Sequence, residues 1–242
     1  MLFRSEAFKA INYEIRTPES LKNSVYCAED FDVPQKRNRI IIIGTKVGGD
    51  LSVEELYESL TEHKSKLLHK TVRDAIGYMP KLYPLEKVIK IGRSQVSHQA
   101  KGENNVDMHY SRYHGERDQR LFKEWLANDM NKCSQKEKMD FYTKITGHTS
   151  NHIKYRNIEW DKPSPTVVAH LNKDGYMFIH PDVEQLRSIT IREAALLQTF
   201  PMDFKFVGSN PYCFKMIGNA VPVNFAKGIA EAMYSVLISK EQ

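Results

Sequence analysis

Four consecutive isoleucines, Ile40 to Ile43, constrain this chain more than any other feature. They are β-branched, and they lie between a basic turn and Gly44. An apolar run with no polar alternation predicts a strand, Arg39 to Ile43, buried on both faces as in a parallel sheet. The chain is therefore predicted to be α/β. The run is far too short to cross a membrane, and Met1 to Glu6 carry no apolar signal core, so a cytoplasmic protein without a membrane partner is expected.

The rest of the chain alternates between regular and irregular stretches. Leu2, Phe3, Ala7, Phe8 and Ile11 fit a short helix, and Tyr13 to Arg16 reads as extended. Ser52 to about Leu68 is helical, with Ser52 and Glu55 spaced as a capping box, and Thr71 to Ile76 suits a second helix. Residues 78–160 change character, with five of the nine histidines and irregular spacing. One amphipathic helix stands out there, Arg117 to Met130, with Leu121, Phe122, Trp125 and Leu126 on one face. Thr166 to His170 reads as a strand. Thr190 and Glu193 form a second capping box, opening a helix that Pro201 stops. A last helix, about Val223 to Ile238, places Phe225, Ile229, Met233 and Leu237 on one face.

Charge is mildly basic: 35 Lys and Arg against 30 acidic residues, a formal +5. That permits a polyanionic partner without requiring one. The three cysteines, Cys27, Cys133 and Cys213, form no CxxC pair, which points to a reducing compartment and away from disulfides. His109 with His114, and His148 with His152, lack the cysteine pairs of a zinc site, so no metal is expected.

Three motifs carry the functional reading. The first is Gln35-Lys36-Arg37-Asn38-Arg39, running into the isoleucines. Strand alternation would aim Arg37 and Arg39 the same way, as a clamp for phosphate or a base oxygen. A solvated basic turn is the plainer alternative. The second, Arg187 to Pro201, is a capped helix with a structural explanation of its own. The third is Gly218-Asn219-Ala220-Val221-Pro222, a turn entering the last helix, where backbone can approach a ligand closely.

In order and spacing these motifs resemble the later motifs of the DNA cytosine-5 methyltransferase family: Gln-x-Arg-x-Arg, a variable target-recognition region, Arg-x-x-Thr-x-Arg-Glu-Ala-Ala-x-x-Gln-x-Phe-Pro, and Gly-Asn-Ala-Val-Pro. Trp160 to Thr166 and Phe178 to Asp182 also look familiar from that family. The resemblance covers nearly the whole chain, apart from much of residues 45–155.

The resemblance implies a partial doubly wound, Rossmann-like methyltransferase domain with a small, loop-rich target-recognition domain. Residues 1–77 would belong to the catalytic domain, 78–186 to target recognition, and 187–242 to the junction and the return. It implies double-stranded DNA as partner, S-adenosylmethionine as cofactor and a flipped cytosine as substrate. Arg39 would contact the cytosine, Arg37 would steady the catalytic loop or a phosphate, and Gln35 would place the turn. Asn219, Ala220 and Val221 would close the cofactor pocket, and Arg192 and Glu193 would brace the junction. Target recognition would draw on Arg93, His109, Arg112, Arg117, Lys154 and Arg156. Residues 86–160 hold 14 Lys and Arg against 10 acidic residues.

The chain also departs from the family. No cysteine follows a proline, and there is neither a Phe-x-Gly-x-Gly loop nor a Glu-Asn-Val. The nucleophile and most of the cofactor site are therefore expected from an amino-terminal methyltransferase subunit, as in a split enzyme of a bacterial restriction-modification system. Without it the chain is expected to be inactive. The alternative is a catalytically inactive, sequence-specific DNA-binding module.

Overall fold

A computed structural model describes residues 5–65, 69–173 and 175–241. Its helices are α1 (Ser5–Lys9), α2 (Pro18–Leu21), α3 (Val53–Glu62), α4 (Val72–Ile76), α5 (Glu116–Ala127), α6 (Gln135–Thr146), α7 (Ile191–Leu197), α8 (Asn210–Asn219) and α9 (Val223–Glu241). Its strands are β1 (Tyr13–Ile15), β2 (Val25–Cys27), β3 (Asn38–Ile40), β4 (Gly44–Lys46), β5 (Leu82–Ile91) and β6 (Ser94–Ala100). Leu2 and Phe3, expected in the first helix, lie outside the described residues, as do positions 66–68 at the expected end of α3.

The isoleucine run is not a strand buried on both faces. Only Ile40 belongs to β3, which pairs antiparallel with β2, and Ile40 is 60% exposed. Beyond it the backbone bonds to side chains and a turn rather than to a sheet. The Ile41 amide donates to the Ser24 carbonyl, and the Tyr57 hydroxyl donates to the Ile41 carbonyl at 2.9 Å and accepts from the Ile43 amide at 3.1 Å. One phenol on α3 thus satisfies groups that a neighbouring strand would otherwise hold. Among the described residues the named strands pair only as two-stranded antiparallel sheets, β1 with β4, β2 with β3 and β5 with β6. The doubly wound sheet expected around residues 1–77 does not form from these residues themselves.

Three apolar clusters organise the chain. In the first, Tyr26, Phe31 and Val33 pack with Val53, Tyr57 and Leu60 of α3 and with Phe225 and Ala232 of α9. The last helix therefore packs against the segments at 26–33 and 53–60. Its buried side is Phe225, Ala232 and Val236, with Ile229 and Met233 partly covered, while Leu237 is exposed. In the second cluster, α4, α7 and α8 surround Ile158, Val167, Phe178 and Ile189. In the third, Leu121, Phe122 and Trp125 of α5 meet Tyr155 and Ile179, with Phe141 and Tyr142 of α6 beside them.

Of the two capping boxes read from the sequence, one is made and the other is not, although both helices form. Thr190 accepts from the Glu193 amide while the Glu193 carboxylate accepts from the Thr190 amide, and α7 begins there as expected. Ser52 makes no such bond at the start of α3. Residues 166–170 are irregular rather than a strand. Residues 78–160 are more regular than their spacing suggested, since they hold the long β5–β6 hairpin as well as α5 and α6.

Candidate functional site

The three motifs meet in space, and buried side chains bolt them together. Gln35 is fully buried; its side chain donates to the Leu197 carbonyl at 3.2 Å and accepts from the Val167 amide at 3.0 Å. Arg37 donates to the carbonyls of Val167 (2.9 Å), Gly218 (3.1 Å) and Ala220 (3.3 Å). One guanidinium fork therefore spans the segment after Pro165 and the end of α8. Burial, and secondarily the charge of Arg39, push the Arg37 pKa down to about 10. Arg37 is not aimed with Arg39, because it lies just before β3 and turns inward. Both of its terminal nitrogens are committed to carbonyls and its Nε is buried without a partner, so it is not placed to hold a phosphate.

Gly218 explains why the third motif needs glycine. It lies inside α8 rather than in a turn, and a Cβ there would fall 2.2 Å from the Val168 carbonyl carbon. The close approach is to the chain's own backbone. The motif's remaining groups face outward. Asn219 and Val221 are exposed and Ala220 is half-buried. Arg39 is exposed too, its guanidinium donating to the Asn38 carbonyl at 2.7 Å. The bolted core thus presents Arg39 and the Asn219–Val221 edge with side chains largely uncommitted.

Behind this edge lies a buried polar junction. Arg187 and Glu193, both buried, pair through two bonds of 2.6 and 2.7 Å. Burial alone would raise the Glu193 carboxyl; the charge and hydrogen bonds of Arg187 overcome it and hold the carboxyl below the carboxylate range. His180 lies 3.6 Å from Glu193, yet burial first and Arg187 second drive its pKa down to about 3, so the ring is neutral. Arg192 is buried beside this pair. Its guanidinium donates to the carbonyls of Asp107, Pro201 and Phe204 at 2.9, 3.3 and 3.0 Å.

The six positions expected to read DNA divide sharply. His109 is buried; Nε2 donates to the Pro80 carbonyl at 2.8 Å and Nδ1 accepts from the Thr190 hydroxyl at 3.1 Å. Arg112 donates to the Ser188 hydroxyl and the Asn172 carbonyl at 3.0 and 2.6 Å. Both positions serve the junction and leave little to offer a ligand. Arg93 is exposed at the tip of the β5–β6 hairpin. Arg117, Lys154 and Arg156 line one open cleft of about 660 Å³.

Sequence reading missed Lys173, His148 and His170, which line that cleft too. No spacing signal links them to Arg117, since folding brings them there from separate segments. It also missed Arg187, although the six-residue step from Arg187 to Glu193 across a helix cap was open to view.

The motif segments thus interlock through Gln35 and Arg37, with a cationic cleft lined by Arg117, Lys154 and Arg156 elsewhere on the chain. The chain belongs to the C-5 cytosine-specific DNA methylase family, whose profile it matches over residues 5–235. A type II methyltransferase of Bacillus paralicheniformis is 30% identical over 96% of this chain and 55% of its own length. One from Haemophilus parahaemolyticus is 33% identical over 95% of this chain and 50% of its own. The chain thus spans about half the length of these curated relatives. A Picosynechococcus type II methyltransferase is 37% identical across 44% of this chain, and that match fills 78% of the relative. An E. coli crystal structure described as a DNA modification methyltransferase encoded within a prophage shares the fold, with TM-score 0.54 and 23% identity over 97% of this chain and 64% of that one. No helix among the described residues is long and apolar enough to cross a membrane.

Proposed function

We propose that this chain is the target-reading and closing portion of a DNA cytosine-5 methyltransferase of a restriction-modification system. The observation that carries the reading is the bolted core: Gln35, Arg37 and the end of α8 are locked together, and Arg39 and Asn219–Val221 are left facing outward. A preorganised edge of this kind suits a substrate and a cofactor better than it suits stability alone. Arg39 contacts the ring oxygen of a cytosine turned out of the duplex. Gln35 and Arg37 fix the turn that carries it. Asn219, Ala220 and Val221 form one wall of the S-adenosylmethionine site. An uncommitted amide beside an exposed valine fits such a wall, and the cofactor, when bound, supplies the methyl group.

The nucleophilic cysteine and the other walls lie outside these 242 residues, because none of the three cysteines follows a proline and no Phe-x-Gly-x-Gly loop is present. In this reading they come from an amino-terminal methyltransferase half. The short Picosynechococcus relative supports a separately encoded closing half, since most of its length matches this chain.

Methyl transfer from labelled S-adenosylmethionine to duplex DNA tests the proposal. The chain alone is expected to be inactive, and adding the complementary half is expected to give turnover that Arg39→Ala reduces at least about a hundredfold, the scale of losing one charged contact to the reacting group. Substantial turnover by the chain alone, or normal turnover by the Arg39 variant, would reject the corresponding assignment.

A further inference from the structure

The end of α7 is built in a costly way. The Thr199 amide donates to the Leu196 carbonyl at 2.9 Å and the Phe200 amide to the Ala195 carbonyl at 3.0 Å. These are the paired bonds of a helix end whose next residue turns left-handed, a place that usually falls to glycine. Here it is Thr199, with φ of 58°. A β-branched residue is strained there, and such strain persists only where the surrounding contacts over-determine it. Gln198 adds a second cost, since its Oε1 is buried without a partner. A corner built for stability alone would carry neither.

The contacts of this corner say what the strain holds. The Thr199 hydroxyl, which a glycine would lack, accepts from the Asn224 amide at 2.9 Å and donates to the Gln198 carbonyl at 2.7 Å. The same carbonyl accepts from the Val223 amide at 3.1 Å. Two otherwise orphaned amides in the first turn of α9 are thus satisfied from a distant segment. On the other side, the Gln198 Nε2 donates to the Ile217 carbonyl near the end of α8. The Asn219–Val221 edge lies between these anchors, so the corner grips it at both ends. One residue earlier, the Leu197 carbonyl accepts from Gln35, in the turn that leads to Arg39.

We propose that Gln198 and Thr199 set the placement of the Asn219–Val221 edge against the Arg39 turn, with the Thr199 hydroxyl as the positioning group for the cofactor wall. The inference rests on reading that edge as part of an S-adenosylmethionine site, and adds the residues that hold it in place. Thr199 is a positioning residue: it acts through the Asn224 amide and the start of α9 rather than on the cofactor itself. The left-handed strain is the cost of placing a hydroxyl where a glycine would sit without strain.

Equilibrium binding of S-adenosylmethionine by calorimetry tests this, on the protein purified with any polypeptide that accompanies it, beside urea unfolding and duplex DNA binding. Thr199→Gly relieves the backbone and removes the hydroxyl. It is expected to keep a urea midpoint close to the parent's while weakening cofactor binding about five- to tenfold, the scale of one hydrogen bond. In methyl transfer the KM for the cofactor should rise by the same factor with kcat little changed, and duplex affinity should hold. Thr199→Ser keeps the hydroxyl and should bind cofactor like the parent. Hydrogen exchange of the Asn224 amide should quicken in the glycine variant and not in the serine one. Parent-like cofactor binding by Thr199→Gly would overturn the proposal and leave the methyltransferase reading standing. Equal weakening in Thr199→Ser, or a parallel fall of midpoint and duplex affinity in Thr199→Gly, would show that the residue acts through general packing and would overturn it too. No cofactor binding by the parent would overturn both.

Discussion

Arg37 commits its charge to backbone carbonyls from two distant segments, so its loss should be felt as stability. Arg37→Ala strands acceptors of Val167 and Gly218 that are buried away from water. Each orphaned group costs about 1–3 kcal/mol, so a loss of about 2–4 kcal/mol is expected in urea unfolding. Arg37→Lys should recover little, because an ammonium cannot reproduce the fork. Arg39→Ala, at an exposed position, should stay within about 0.5 kcal/mol of the parent. Equal midpoints for the two alanine variants would refute this division of labour. The contrast was half legible in the sequence. The Gln-x-Arg-x-Arg pattern marked both arginines, but reading them as strand neighbours carried the alternation of a strand expected at Arg39–Ile43 back to Arg37. The strand begins at Asn38, so Arg37 lies outside it and turns inward while Arg39 within it stays exposed.

At the scale of elements, the helix starts and the buried histidines differ in legibility for the same reason. A capping box is local, so Thr190 and Glu193 announced α7. α8 was hidden because Gly218-Asn219 was read as a turn, although both residues close the helix and Pro211 sits in its first turn, where proline is tolerated. The β5–β6 hairpin was hidden by a register shift between Pro84 and Ile89. The histidines needed long-range packing to interpret. His98, His109, His114 and His180 are all buried, and Arg187 adds repulsion at each. Burial is the leading cause in every case, and for His98 it brings the pKa down to about 4.

That depression has a definite sign. The unfolded histidines take up protons near pH 6.5 while the folded ones do not, so stability is full above about 6.5 and falls as the pH drops toward 4. His98 alone should account for roughly 2–3 kcal/mol of loss by pH 4. Urea midpoints measured from pH 7.5 to 4.5 should fall steadily, and His98→Asn should flatten part of that slope. A midpoint that holds constant down to pH 5 would show that these rings titrate normally.

At the scale of the whole molecule, the two ends of the sequence form one apolar cluster. Phe225 of α9 is buried 5.0 Å from the ring of Phe31, and Ser59 of α3 donates to the Ala232 carbonyl at 2.9 Å. Gly228 allows this contact, since a Cβ there would lie 2.5 Å from Phe31 Cδ1. Phe225→Ala should therefore cost about 3–5 kcal/mol locally, the usual cost of emptying a buried aromatic site. The loss should be confined, because α5 and its buried Trp125 belong to a different cluster. Hydrogen exchange is expected to accelerate across residues 53–62 and to stay slow across 116–127, with Trp125 emission unchanged. Uniform acceleration in both helices would instead mean that the clusters unfold as one cooperative unit, and that the junction around Arg37 and Glu193 transmits the loss from one end of the molecule to the other.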